Sequence, residues 1–354
     1  MTSFDIQRSN LQGTKDLPRV VAPALFLLSF LAAFSVQAGV SAESGELNLL
    51  AIGFTGLIGY TAILYVTSLV VEGRRKATDR FVTVLVASAF ALAVVPLISL
   101  AYTVVTNGAA RFDLDFFSMS MRNVVGEGGG ALHAIIGTLE ITGLATLISV
   151  PIGIMTAIYL IEYGTGRLKR AVTFFVDVMT GVPSIVAGLF AYALFVIFFG
   201  PGVRMGFGGA IALSVLMVPV VIRSTEEMLK IVPNELREAA YALGVPKWLT
   251  IIKVVLPTAL AGIATGVMIS IARVIGETAP LLLIAGFTAS MNYNPFSERM
   301  MTLPVFVYTQ YANQGTNMQA YLDRAWAGAL TLMTIVMALN LIARLISKYF
   351  SPKG

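Results

Sequence analysis

Eight apolar runs, each long enough to cross a lipid bilayer as a helix, set the limits on what this chain can fold into. They fall at roughly 20–40, 47–71, 81–105, 134–161, 171–199, 209–230, 258–286 and 325–346. About 20 residues rising 1.5 Å each cover the ~30 Å hydrocarbon core. Such runs are far too long for the strands of a membrane barrel, which alternate over about 10 residues. Composition agrees: 57% of the 354 residues are hydrophobic and 12% are charged. The charged share is about half that of a soluble domain. The sequence predicts an all-α, polytopic membrane protein.

In such a protein Lys and Arg report topology before they report ligands. One set of segments carries Arg8, Lys15 and Arg19, then Arg74, Arg75, Lys76 and Arg80, then Arg167, Lys169 and Arg170. It continues with Arg223, Lys230, Arg237, Lys247 and Lys253, and closes with Arg344, Lys348 and Lys353. The opposite segments carry only Arg111, Arg122, Arg204, Arg299 and Arg324, and Arg273 lies within a span. This bias predicts that both termini face the cytoplasm. The basic start, the first apolar run and the small residues at Val36-Gln37-Ala38 and Val40-Ser41-Ala42 imitate a signal peptide. The length of that run and the span close behind it predict retention as a first helix instead.

The chain has no Cys and a single His, His133. That excludes a disulfide scaffold, Cys-ligated zinc and thiol chemistry, and a lone His argues against a His-based triad or metal cluster. The glycine-rich patch Gly126–Gly130 reads as a boundary. It would separate residues 1–133, a tail and three spans, from a five-span core at 134–346, with a short tail at 347–354. The long polar stretch 287–324, with Pro295 and Pro304, reads as an exposed outer loop open to an external partner.

One inner loop, 232–257, differs from the rest. Pro233 suits a helix start, Asn234 is a cap-type residue, and Glu235–Leu243 are strong helix formers. Gly244 suits a left-handed stop. Pro246 then opens a second short helix with Trp248, Ile251 and Ile252 on one face, and Pro257 begins the next span. The expected product is a helix–Gly–helix unit at the membrane surface, a part that a soluble partner can grip. No Gly-x-x-x-x-Gly-Lys-Ser/Thr phosphate loop occurs in the chain, so any nucleotide-driven motor is a separate subunit.

Charges inside spans are costly, about 2.5–3.5 kcal/mol for a lone ionised residue at the bilayer centre. Arg273 and Glu277 are four residues apart, so a continuous helix would place them on one face as a pair. Gly276 lets another backbone approach, and Pro280 breaks the hydrogen-bond ladder, which is tolerated where it lines a cavity. Arg223 lies nearer the inner end of the sixth span. Embedded arginines attract oxyanions, and the planar guanidinium can make two charge-assisted bonds to one tetrahedral group. Alternatively, Arg273–Glu277 staples a helix and Arg223 snorkels to the interface. Glu140 and Asp177 read as interfacial. In Gly181-Val182-Pro183-Ser184, Pro183 predicts a kink, and the small residues predict a packing seam or a gate hinge with Ser184 facing a path.

The coupling-type loop resembles the signature of ABC importer permeases: Glu-Ala-Ala, three residues, Gly, nine residues, Ile, any residue, Leu-Pro. Glu238, Ala239, Ala240, Gly244, Leu256 and Pro257 match, and Val254 stands where Ile is usual. Three further segments narrow the resemblance to the phosphate permeases of that class. They are Arg273-x-x-Gly276-Glu277-Thr278-Ala279-Pro280, Gly181-Val182-Pro183-Ser184-Ile185-Val186 and Trp326-Ala327-Gly328-Ala329-Leu330. The resemblance is strong over 134–346 and weak over 1–133, where two spans exceed the usual six. It implies a type I ABC importer permease core and ATP-driven import of inorganic phosphate. Arg273, Glu277, Arg223, Ser184 and Thr278 would line the path, and Gly181, Pro183, Gly276 and Pro280 would form its hinges. The implied partners are a second, PstC-like permease, PstB-like ATPase subunits that use the ATP, and an external PstS-like phosphate-binding protein. No cofactor or metal is expected on this chain. The rival readings are a permease for sulfate, molybdate or phosphonate, a channel or secondary carrier, and an intramembrane hydrolase.

Overall fold

The structure is a computed structural model that describes residues 16–40 and 47–350. The basic residues Arg8, Lys15 and Lys353, and the Ser41-Ala42 cleavage-type pair, lie outside the described residues. All regular elements among those described are helical. Among the described residues, seven helices are long and apolar enough to cross a membrane, and a bent pair passes the same test if taken as one span.

The chain divides into two compact units, residues 1–100 and 101–354. In the first, α1 (Val21–Val40) packs on α2 (Leu49–Val71), and α3 (Arg74–Gly108) begins after a tight turn. Gly56 admits the ring of Phe30, which would lie 3.0 Å from a Cβ at that position. The turn uses Gly73 at φ +89, a conformation that disfavours any side chain. Leu, Val, Ile and Phe cover the outer faces of these helices, as lipid contact requires.

The second unit is built around one helix. After the short α4 (Leu114–Ser118), α5 (Leu132–Ile158) ends in a π-turn, Tyr159–Tyr163. Then come α6 (Gly166–Thr180), α7 (Ser184–Phe199) and α8 (Gly206–Ile231). In the most apolar stretch of α8, 61% of residues are buried, against at most 28% in any other span, so α8 is the central helix. Small residues make this possible. A Cβ on Gly153 of α5 would lie 2.6 Å from Val221 of α8. The glycine patch 126–130 lies inside this unit rather than at its border.

Three spans depart from the straight helices expected. Residues 171–199 are not one kinked helix. Helices α6 and α7 meet at 109° across Gly181–Pro183, where Pro183 is extended (φ −61, ψ 139) and caps α7. A proline disfavours helical geometry in the residue before it, so the corner falls at this point. Residues 258–286 likewise form two helices, interrupted at 275–278. The stretch 287–324 is only partly an exposed loop. Its residues 300–306 are buried, and α13 (Leu303–Ala312) packs on α14 (Met318–Phe350). The Leu303 N–H donates to Thr138 Oγ1 at 2.7 Å, which ties this segment to α5.

Candidate functional site

The inner loop folds as an elbow. Its first arm, α9, is Asn234–Ala242, with Pro233 rather than Asn234 at the cap position. The arm ends in a complete Schellman motif: the Gly244 N–H donates to Tyr241 O at 2.9 Å and the Val245 N–H to Ala240 O at 3.1 Å. Gly244 has φ +75 and nothing within 4 Å of the place a Cβ would occupy, so it faces open space. The second arm is not a separate helix. Lys247–Thr250 (α10) continues through a π-turn, Ile251–Val255, into α11 (Leu256–Val274). Pro257 therefore lies inside a helix. Its ring clashes with the carbonyl of Lys253 in regular geometry, and the turn widens so that Leu256 N–H bonds Ile251 O. The expected common face also divides. Trp248 and Ile252 are exposed, whereas Ile251 is buried.

The clamp that holds this elbow was not found by sequence reading. Arg237 donates to Glu162 Oε1 at 2.9 and 3.1 Å, to Val232 O at 2.7 Å and to Leu229 O at 3.0 Å. Both members of this ion pair are largely buried. Lys247 donates to the Glu162 carbonyl and lies 4.9 Å from the Tyr163 ring centroid. Glu162, in the π-turn that ends α5, thus ties both arms of the elbow to the core, its carboxylate holding Arg237 and its backbone carbonyl holding Lys247. A polar residue inside the Leu236-Arg237-Glu238 stretch was the only hint, and its partner is 75 residues away.

The intramembrane charges are arranged differently from the expected pair. Helix α11 ends at Val274, and α12 (Ala279–Ile284) begins with Pro280 in its first turn. Residues 275–278 between them are non-helical. The four-residue spacing of Arg273 and Glu277 no longer places them on one face, and no ion pair joins them. Pro280 starts a helix instead of breaking one. Arg273 is exposed and makes no hydrogen bond or ion pair within the described residues, while Glu277 and Thr278 are half-buried beside it. Nothing in this chain approaches Gly276.

Arg223 does not simply snorkel. It bonds Glu226 at 2.6 Å and pairs with Asp177 of α6. Asp177 is exposed, as an interfacial residue should be, yet it is committed to this pair. The two arginines stand at different levels. Ser224 packs on Gly266 of α11, and Arg273 lies seven residues further on, about 10 Å along the axis. The hinge segments do meet: a Cβ on Gly188 of α7 would lie 2.5 Å from Pro280 Cα, one turn beyond the half-buried Ser184. Gly188 is therefore a packing seam. Gly181 and Pro183 form the α6–α7 corner itself. His133 is buried against Phe306, with ring centroids 5.7 Å apart, and neither ring nitrogen has a partner.

The second unit is thus a multi-pass helical bundle with an interrupted helix, α11–α12, packed on the central α8, and with a surface elbow clamped to its core. The chain belongs to the family described as binding-protein-dependent transport system inner membrane component, which matches residues 149–353. Among its relatives is the Mycobacterium tuberculosis (strain CDC 1551 / Oshkosh) phosphate transport system permease protein PstA 1. That protein is 45% identical over 276 residues, 77% of this chain and 90% of the relative. The Haemophilus influenzae phosphate transport system permease protein PstA is 40% identical over 245 residues, 69% of this chain and 84% of its own length. In fold, the chain is similar to a solved bacterial alginate ABC transporter in complex with its periplasmic protein. The TM-score is 0.56 at 15% identity, covering 78% of this chain and 97% of that one.

Proposed function

We infer that this chain is the permease subunit of an ATP-driven importer of inorganic phosphate, as its relatives named PstA are phosphate transport permeases. One observation supports the anion role above others. Arg273 is exposed and unpaired at a helix break in a span, and an ionised side chain there needs a water-filled path or an anion to offset its cost. Residues Arg273, Glu277, Thr278 and Ser184 line that path, and Arg223, already neutralised by Asp177 and Glu226, stands deeper as a structural station. Unpaired Glu277 lowers the local positive field, so that phosphate is attracted without being trapped.

The partners are a PstC-like second permease facing Gly276 and Arg273, PstB-like ATPase subunits gripping α9, and a PstS-like external phosphate-binding protein. The chain binds no nucleotide or metal, and ATP is used by the ATPase subunits. Both termini face the cytoplasm of a bacterial inner membrane. ATPase closure pushes α9, and the Arg237–Glu162 clamp carries the displacement into α5, α8 and α11.

The test is phosphate uptake by the reconstituted transporter. Arg273→Gln is expected to reduce uptake at least tenfold, which corresponds to about 1.4 kcal/mol, while assembly is retained. Unchanged uptake would defeat the anion role of Arg273. Stronger competition by sulfate, molybdate or phosphonate than by unlabelled phosphate would reassign the substrate.

A further inference from the structure

A second cluster of arginines lies at the end of α8 remote from the elbow. Arg204 precedes α8, and α9 follows its other end, about 39 Å away along 26 residues. Here Gly202, Arg204, Thr288, Glu298 and Arg299 line a cavity of about 380 Å3. The segments are brought together by backbone bonds: Met205 N–H to Ile284 O at 2.9 Å, and Met300 N–H to Ala285 O at 3.1 Å. The two arginine stems close on the left-handed Gly286, where a Cβ would lie 3.0 Å from Arg204 Cδ and 3.3 Å from Arg299 Cγ. Any other residue there would push the pair apart. Arg299 sits 5.9 Å from the Phe287 ring centroid, which braces it without using its N–H groups. Among the described residues neither guanidinium has a carboxylate partner, although Glu298 lines the same cavity. The Thr288 hydroxyl accepts from Ser290 N–H at 3.2 Å and keeps its own proton free to donate.

We propose that Arg204, Arg299 and Thr288 form an entry station for a tetrahedral oxyanion, upstream of Arg273. The proposal rests on the phosphate-importer reading. Two forked donors and a hydroxyl converging on one cavity match the geometry of an oxyanion with several acceptor oxygens. Helix α12 joins this station to the break that bears Arg273. Gly286 follows that six-residue helix, which spans about 9 Å. Glu298 leaves the station with one net positive charge, enough to attract an anion and weak enough to pass it inward.

The test uses this chain purified with its sister permease and ATPase subunits in lipid nanodiscs, without the external binding protein. Equilibrium binding of radiolabelled inorganic phosphate is measured at millimolar concentrations. The wild type is expected to bind saturably. Arg204→Gln and Arg299→Gln should each weaken binding about tenfold, and Glu298→Gln should tighten it. The affinity of the loaded binding protein for the complex should stay unchanged in both arginine variants. Phosphate uptake by the same transporter in sealed vesicles with its binding protein, while the nanodisc complex shows no arginine-dependent binding, overturns the entry station alone. So does a loss of binding-protein affinity without a change in phosphate binding, which would assign the pair to docking. No phosphate uptake by the wild type in those vesicles, with binding protein and ATP present, defeats the importer reading instead.

Discussion

Arg324 is the largest fully buried side chain and lies in the second turn of α14. It donates to Gln310 Oε1 at 2.9 Å, Gly126 O at 2.6 Å and Gly128 O at 3.1 Å, with the Tyr321 ring centroid 4.6 Å away. Gly126 and Gly128 have φ +82 and +84, which turns their carbonyls toward it. The glycines therefore serve a buried cation and not a flexible hinge. Arg324→Met should destabilise the chain by roughly 2–5 kcal/mol, because three acceptors lose a charged donor, and thermal unfolding in detergent reads this. Glu72 makes a pH-dependent contribution in the first unit. Arg80 donates to it at 2.7 and 2.8 Å, and Ser68 and the Leu17 N–H add two more bonds. The Arg80 bonds, with these two, hold its carboxyl at about 2 against an ordinary 4.5. A carboxyl lowered by folding stabilises fully above its unfolded value and loses that contribution as pH falls through the folded one. Stability should therefore drop between about pH 4.5 and 2, by about 3 kcal/mol at most. Glu72→Gln should flatten the profile over that window.

Helix ends, not helix middles, carry the working parts. At α9 the left-handed Gly244 closes the arm and faces open space. Gly244→Val forces a β-branched residue into that conformation, at a cost of about 1–2 kcal/mol, and places a side chain where the motor would dock. Expected is ATPase activity that no longer rises with loaded binding protein, while the chain still inserts; normal stimulation would remove Gly244 from the coupling surface. At α11–α12 the break between Val274 and Ala279 separates Arg273 from Glu277. At α6–α7 the 109° corner turns a basic amphipathic helix away from an apolar one. All three features are signalled by Gly or Pro. What those residues signal is that a helix changes there, while the size and direction of the change come from the packing around them.

Across the whole molecule, the absence of cysteine makes topology directly measurable. Val125 and Leu243 are 90% and 83% exposed and lie on opposite sides in the charge-bias reading. With a single cysteine at Val125, a membrane-impermeant maleimide should label intact cells. With one at Leu243, it should label only after the membrane is opened. The reverse pattern would invert the orientation. The long apolar helices, the elbow and the interruption at Gly276–Pro280 are all legible as long apolar runs, small fixed spacings and helix breakers. Arg237–Glu162, Arg223–Asp177 and Arg324–Gly126 are not, because each joins residues 46 to 198 positions apart.

The amino-acid sequence by itself determined that this is a helical membrane protein and where its elbow lies. Those follow from hydrophobic length and local conformational preference, which act within a few residues. Only the tertiary structure decided which charges are spent and which remain available. Arg223 and Arg237 are paired with distant carboxylates and Arg324 is held by distant oxygens, whereas Arg273, Arg204 and Arg299 are left without a carboxylate partner among the described residues. A charge inside a low-dielectric bundle is governed by what packing brings within about 4 Å of it, and spacing along the chain does not fix that neighbourhood.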